Sequence, residues 1–289
     1  MIRRRKRRVP LRQLIKERKP IFFMYVLLRV LVVTVMIAQV FNGNFENVFL
    51  CALTLLLFTI PGFIESNYGI DIPDVLETII LLFIFSAEIL GEISAYYIAY
   101  PFWDTMLHTI NGFLAAAIGF SLVDILNRNE RFTFSLSPLF LAIVAFCFSM
   151  TIGVIWEFFE FFVDMTFKMD MQKDTVVHAI NTVKLDPTAS NKVVRIGDIT
   201  SVAVNGSDLG LGGYLDIGLI DTMKDLFVNF IGAAVFSSIG YFYVKKRGKG
   251  RFARQFIPTV KDETLLPRPP AEGEGPDQSE HQRSGDDQS

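Results

Sequence analysis

Residues 139–162 read LFLAIVAFCFSMTIGVIWEFFEFF. The stretch carries no lysine or arginine, and its only carboxylates, Glu157 and Glu160, fall near its end. A helix rises 1.5 Å per residue, so about 20 apolar residues cross a hydrocarbon core of about 30 Å. In such a core the backbone amides and carbonyls must satisfy one another within the segment, which leaves the helix as the structure for a lone apolar run. Working outward, five further windows have the same character: Ile21–Val40, Val48–Ile64, Val75–Ile93, Trp103–Leu126 and Leu226–Val244. The expected fold is an all-α integral membrane protein, a bundle of about six transmembrane helices.

Composition agrees with this reading. The 289 residues are 51% hydrophobic and include 28 Phe, with a mean hydropathy of +0.38. An ordinary soluble domain is excluded. The net charge of -2 conceals segregation, because the first twenty residues are densely basic and the last nineteen mostly acidic and polar. Cys51 and Cys147 both lie inside apolar runs and are expected to be buried packing residues. The first window is longer than a signal-peptide core and lacks a small-residue cleavage site, so it is expected to be retained.

Lysine and arginine in the flanks orient the bundle. The N-terminal arm, the connection with Arg128 and Arg131, and KKRGKGRFAR after the last window fall on one side if there are six spans, and that side is expected to be cytoplasmic. The implied organisation is a basic cytoplasmic arm over residues 1–20, five spans within 21–164, an extracytoplasmic loop over 165–220, the sixth span within 221–244, and a cytoplasmic tail over 245–289, basic and then acidic and disordered. In the loop, VVRIGDITSVAVNGSDLGLGGY carries an Asn205-Gly206 turn signal between β-branched residues, which predicts a small β-hairpin. The basic arms are read as anchors to anionic lipid head groups, with no role in binding nucleic acid.

The ionisable residues of the spans fall at helical spacings. The third window ends with Glu88 and Glu92, the fourth begins with Asp104 and His108, the fifth ends with Glu157, Glu160 and Asp164, and the sixth is preceded by Asp221 and Asp225 and contains Asn229. Separations of three, four and seven residues put these groups on one face of each helix. Up-and-down threading then delivers four polar stripes to one end of the bundle. A carboxylate in a bilayer costs roughly 2.5 to 3.5 kcal/mol or more unless protonated, hydrated or paired. Cations are nearly absent from the stripes, Lys224 being the closest candidate. The compensating partner is therefore a divalent metal ion, a set of shared protons or a cationic part of a substrate.

Asp104, His108, Glu157, Glu160 and Asp225 are the primary site candidates, with Glu88, Asp221 and Asn229 secondary. His108 among carboxylates suits a divalent transition ion. Glu92, Asp164 and Asp221 also fit solvated helix boundaries, and Trp103 and Trp156 fit an interfacial aromatic belt. Arg29, in the inner half of the first window, is expected to snorkel or to pair with Glu77 or Asp124. HExxH, GxSxG and a Gly-rich phosphate loop are all missing from the sequence.

WDTMLHTINGF, WEFFE and DTMKDLFVNFIGA together resemble the YjdF-like family of bacterial inner-membrane proteins of unknown function, and more distantly the VanZ-like membrane proteins implicated in glycopeptide resistance. The resemblance implies a bacterial cytoplasmic-membrane location. The long loop over residues 165–220 is a departure from the family pattern. Three functions stay open: a metal-dependent hydrolase or transferase acting on a lipid or envelope substrate from the outer face, a proton- or cation-coupled transporter or lipid-handling protein, and a non-catalytic envelope scaffold.

Overall fold

A computed structural model describes residues 19–68, 70–127, 136–246 and 250–260. The N-terminal arm up to residue 18, Arg128, Arg131 and the tail beyond Val260 lie outside the described residues, as do the readings made on them. The chain forms α1 (Lys19–Phe41), α2 (Phe45–Leu57) and α3 (Ile60–Tyr68), then α4 (Asp74–Phe85) running directly into a π-helical segment (Ser86–Ile93). After these come the one-turn α5 (Tyr96–Ala99) and three long helices, α6 (Trp103–Asn127), α7 (Pro138–Phe167) and α8 (Leu219–Lys245). Local chemistry sets the ends. Asn44 accepts the Asn47 amide at 3.1 Å to open α2, and Ser137 accepts the Phe140 amide at 3.2 Å to open α7, with Pro138 following at N1.

Five helical stretches among the described residues are long and apolar enough to cross a membrane: α1, α2 with α3, α6, α7 and α8. The sixth expected window is present as α4 plus the π segment, a continuous rod over residues 74–93. Phe158, Phe159, Phe161 and Phe162 of α7 stand outward, an arrangement that suits lipid and not water. The protein is thus a multi-pass helical membrane protein. Two windows differ from expectation in extent: α7 runs on to Phe167 and α8 begins at Leu219, so Asp164, Asp221 and Asp225 are helical. Cys147 is exposed on α7 while Cys51 is buried, which corrects the expectation that both are core residues.

The helices form two packing groups. Leu28, Val32, Cys51, Phe58, Leu81 and Ile89 knit α1 and α2 to the α4 rod. The second group is the close triple of α6, α7 and α8, where small residues let backbones meet. A Cβ built on Gly112 would sit 2.9 Å from the Asn229 carbonyl carbon and collide with its oxygen; one on Gly232 would sit 2.8 Å from the Phe113 amide and collide with the Thr109 carbonyl. The two glycines thus let α6 and α8 approach backbone to backbone.

Strands are short and antiparallel. Between α7 and α8, β2 (Val176–Val177) pairs with β7 (Tyr214–Leu215), β3 (Ile180–Thr182) with β4 (Val194–Ile196), and β5 (Ala203–Val204) with β6 (Ser207–Asp208). The last pair turns at Asn205 and Gly206, both with positive φ (54° and 83°), as a type I′ turn requires. The segment after α8 doubles back: α9 (Arg251–Arg254) is followed by β8 (Thr259–Val260), which pairs with β1 (Ile70–Asp71) just before α4. Ala253, Phe256 and Ile257 are buried with Ile72 and Leu76, and the Phe256 ring meets Phe113 edge-on at 5.0 Å. The end of the basic flank and the residues just after it therefore pack onto one end of the bundle.

Candidate functional site

The site lies at the other end, where α6 and α8 begin and α7 finishes. Asp104 and His108 are one turn apart on α6, and His108 Nε2 stands 3.5 Å from Asp104 Oδ1 and 3.9 Å from Asp225 Oδ2 of α8. One ligand atom from each of these three residues lies within 4.8 Å of the others. His108 Nδ1 faces α7, 3.9 Å from Glu157 Oε1. Glu157 is 4% exposed, Asp225 3% and His108 9%, while the Asp104 side chain keeps 32% of its surface open. The cluster therefore sits in a pit with Asp104 at the rim. Oε2 of Glu157 has no hydrogen-bond partner. Glu160, also buried, accepts the Trp156 indole N–H at 2.8 Å.

A rigid polar floor lies one turn deeper. Asn229 is fully buried; its Nδ2 donates to the Ser149 carbonyl at 3.4 Å, and its Oδ1 accepts from Asn111 Nδ2 at 3.3 Å. Ser149 Oγ donates to the Gly112 carbonyl at 2.7 Å. All three long helices are tied at this level, and Gly153 leaves the room Asn229 occupies. Asn229, expected as a secondary candidate, thus locks the helices together. Beneath it Ala116, Ala117, Phe120, Leu141, Ala145, Ala233 and Phe236 are all at 0% exposure, so the polar pit ends on a dry, packed core.

The boundary acids have specific partners. Asp164 accepts the Met171 and Gln172 amides at 2.6 and 2.9 Å, and Asp221 accepts the Lys173 amide at 2.8 Å. Gln172 Nε2 donates to Thr222 Oγ1 at 2.7 Å. Both acids thus fasten the start of the α7–α8 loop across the mouth and are not merely solvated helix ends. Asp216 extends the same clamp by accepting the Thr175 and Ile220 amides at 2.6 and 2.8 Å. This loop acid lies beyond the helices; although burial pushes its pKa up, the amide donors outweigh that and hold it below the usual carboxylate value.

Glu88 and Glu92 lie on the π segment beside Tyr97, outside the group in ligand reach of His108. Lys224, expected as the nearest cation, is exposed among Leu219, Ile220, Met223 and Phe227 and acts on Asp221. The cation that acts on Asp104 and Glu92 is Lys173, delivered by the loop. Trp103 and Trp156 both have defined acceptors, Trp103 Nε1 donating to the Ser86 carbonyl at 3.2 Å. Arg29 stacks over the Tyr25 ring at 4.8 Å, and the Tyr25 hydroxyl donates to Glu77 at 2.7 Å. Sequence reasoning missed Tyr97, Asn111 and Lys173. Asn111 was findable, three residues after His108 and so on the same face; Tyr97 and Lys173 sit in irregular connections with no period to mark them.

Residues 23–246 match a family described as Predicted membrane protein (DUF2238). The chain belongs to the DUF2238 family. The matched region contains α6, α7 and α8 and every residue of the pit, so the whole site lies inside the DUF2238 segment. No curated protein and no solved structure matches the chain.

Proposed function

We propose that this DUF2238 protein holds a divalent transition-metal ion at Asp104, His108 and Asp225 and uses it on a lipid or envelope substrate at the outer face of a bacterial cytoplasmic membrane. The observation that carries this reading is the convergence of one imidazole nitrogen and two carboxylates from two helices within 4.8 Å. Ligands around a tetrahedral ion with bonds of about 2.1 Å stand about 3.4 Å apart; the His108 pairs at 3.5 and 3.9 Å need only a few tenths of an ångström of closure. When bound, such an ion supplies Lewis-acid polarisation of a carbonyl or phosphoryl oxygen. The chain's own residues supply the rest: Asn229 and Ser149 hold the helices in register, the apolar core beneath excludes water, and Lys173 stands at the mouth.

The outward orientation follows from basic flanks on the other side, which also suit anionic lipid head groups. The likeness of WDTMLHTINGF and WEFFE to YjdF-like and, more distantly, VanZ-like proteins supports the bacterial envelope as the setting. The dry core under Asn229 favours a one-sided site over a proton- or cation-coupled transporter, which needs access from both sides. A scaffold would leave the convergence of Asp104, His108 and Asp225 without a purpose.

The test is metal analysis of protein purified in detergent without chelator, beside a His108→Ala, Asp225→Ala double variant. About one divalent ion per chain is expected for the wild type and none for the variant. Stabilisation on adding metal should reach about 2.7 kcal/mol at a hundredfold excess over Kd. Metal-free protein whose melting is indifferent to added zinc or cobalt would refute the reading.

A further inference from the structure

We infer that Glu157 is a positioning residue that fixes the tautomer and ring plane of His108, and that it is not itself a metal ligand. This rests on the metal reading above and assigns Glu157 a role distinct from those of Asp104 and Asp225. The two nitrogens of an imidazole diverge, so one ring cannot give both to a single ion. Nε2 faces Asp104 and Asp225, and Nδ1 faces Glu157 Oε1 at 3.9 Å. Glu157 also lies outside the three-residue group in mutual ligand reach.

Glu157 is 4% exposed; its Oε2 has no donor, and its Oε1 is the atom that faces His108. A buried acceptor is costly to leave unpaired. Two neighbouring donors have other acceptors, whereas the Thr222 hydroxyl, which accepts from Gln172, keeps its own proton available to Glu157. The Gln172 amide serves Thr222 Oγ1 and, at 3.5 Å, the Glu157 backbone carbonyl, while the Trp156 indole serves Glu160. An Nδ1–H on His108 faces Glu157 Oε1, and closing the 3.9 Å gap by about 1 Å makes an ordinary hydrogen bond to that oxygen. That bond leaves the Nε2 lone pair directed at the two aspartates. Carboxylates that orient a ligating histidine in this manner typically change metal affinity by about 10- to 100-fold when removed.

Full-length protein in detergent is titrated with Co2+, reading both affinity and the visible ligand-field spectrum, for the wild type, His108→Ala, Glu157→Ala and Glu157→Gln. Glutamine keeps a carbonyl that accepts from Nδ1–H. The expected result is affinity about 10- to 100-fold weaker with an altered spectrum in Glu157→Ala, substantial rescue in Glu157→Gln, and loss of the site in His108→Ala. A Glu157→Ala protein with wild-type affinity and spectrum overturns the positioning role while leaving the metal reading intact. A Glu157→Gln protein as weak as Glu157→Ala makes Glu157 a direct ligand and also overturns it. Co2+ binding that is absent in the wild type, or unchanged in His108→Ala, overturns the metal reading and this inference with it.

Discussion

Replacing Gly232 with alanine should push α6 and α8 apart. The new Cβ would lie 2.8 Å from the Phe113 amide and 3.1 Å from the Thr109 carbonyl carbon, and closer still to the Thr109 oxygen. Backbone cannot rotate out of the way as a side chain can, so the helices must separate by about 1 Å to restore ordinary contact. Overpacking of this kind costs about 1 to 3 kcal/mol, offset by about 0.5 to 1 kcal/mol from the better helix propensity of alanine. The net expectation is a loss centred on about 1 kcal/mol and reaching about 2.5 kcal/mol. The same separation would carry His108 Nε2 and Asp225 Oδ2 from 3.9 Å toward about 5 Å, beyond the roughly 4.2 Å that two bonds to one ion can span. Gly62 supplies the internal control, since a Cβ there meets nothing within 4 Å and alanine should be neutral or slightly stabilising. Unfolding in mild detergent, scored for Gly232→Ala, Gly112→Ala and Gly62→Ala, measures the first effect, and cobalt affinity measures the second. If Gly232→Ala is as stable as Gly62→Ala and binds cobalt equally well, the helices do not meet at these glycines, and the geometry assigned to the pit is wrong.

Asp164→Ala removes the acceptor of the Met171 and Gln172 amides at 2.6 and 2.9 Å; exchange at these two amides should rise about tenfold or more while the middle of α7 keeps its protection, and unchanged exchange at Met171 and Gln172 would refute the clamp. Gly206→Val forces a β-branched residue to φ +83°, costing about 1 to 2 kcal/mol, and should release exchange in residues 203–208 alone. In the exposed loop, the Thr188 hydroxyl and the Lys192 and Thr188 amides hold the Asp186 carboxyl well below the usual carboxylate range. A depressed pKa contributes stability above the unfolded value of about 3.9 and loses it as pH falls through the folded one. Order in residues 186–192 should therefore persist from neutral pH down to about 4 and decay below it, as read from the Asp186 carboxyl carbon shift; a carboxyl titrating at the ordinary value contradicts the loop's hydrogen bonds.

Helical periodicity made the shared faces legible. Asp104 with His108, Glu157 with Glu160, and Asp225 with Asn229 are each three or four residues apart inside apolar runs, so both face and depth follow from counting. The same logic fails wherever a partner comes from outside the run. The π segment has the sequence of an ordinary apolar helix, while the Ser86 carbonyl finds its donor in Trp103, 17 residues later. Asp164 and Asp221 read as boundary acids because their partners are backbone amides, which every residue has and no composition reveals. Lys173 is one lysine among several in a long connection, brought to the mouth by the Asp221 contact and by the Asp164 bonds to its two predecessors. The return of residues 250–260 is hidden because Phe256 and Ile257 are two apolar residues beyond a basic run, paired with a strand near residue 70.

The pit is built of parts with different stiffness. Its floor is fixed by backbone contacts at Gly112 and Gly232 and by Asn229 bonding to both neighbouring helices, so the spacing of Asp104 and His108 from Asp225 is set before anything binds. Its roof is a loop held by Asp164, Asp216 and Asp221 through bonds to amides near the surface, each of which water can replace. Charge adds a constraint. A divalent ion bound as proposed would cancel half the formal charge of Asp104, Glu157, Glu160 and Asp225, and Lys173 approaches from the roof side. Balance in so dry a place therefore depends on the loop as well as the helices. A substrate that displaces Lys173 must bring hydrogen-bond donors or positive charge of its own, whereas one that leaves it in place can be anionic. Comparing cobalt affinity in Lys173→Met protein with and without inorganic phosphate separates these cases: phosphate should tighten cobalt binding in the wild type and lose that effect in the variant if the substrate is anionic, and should have no effect on either if it is not.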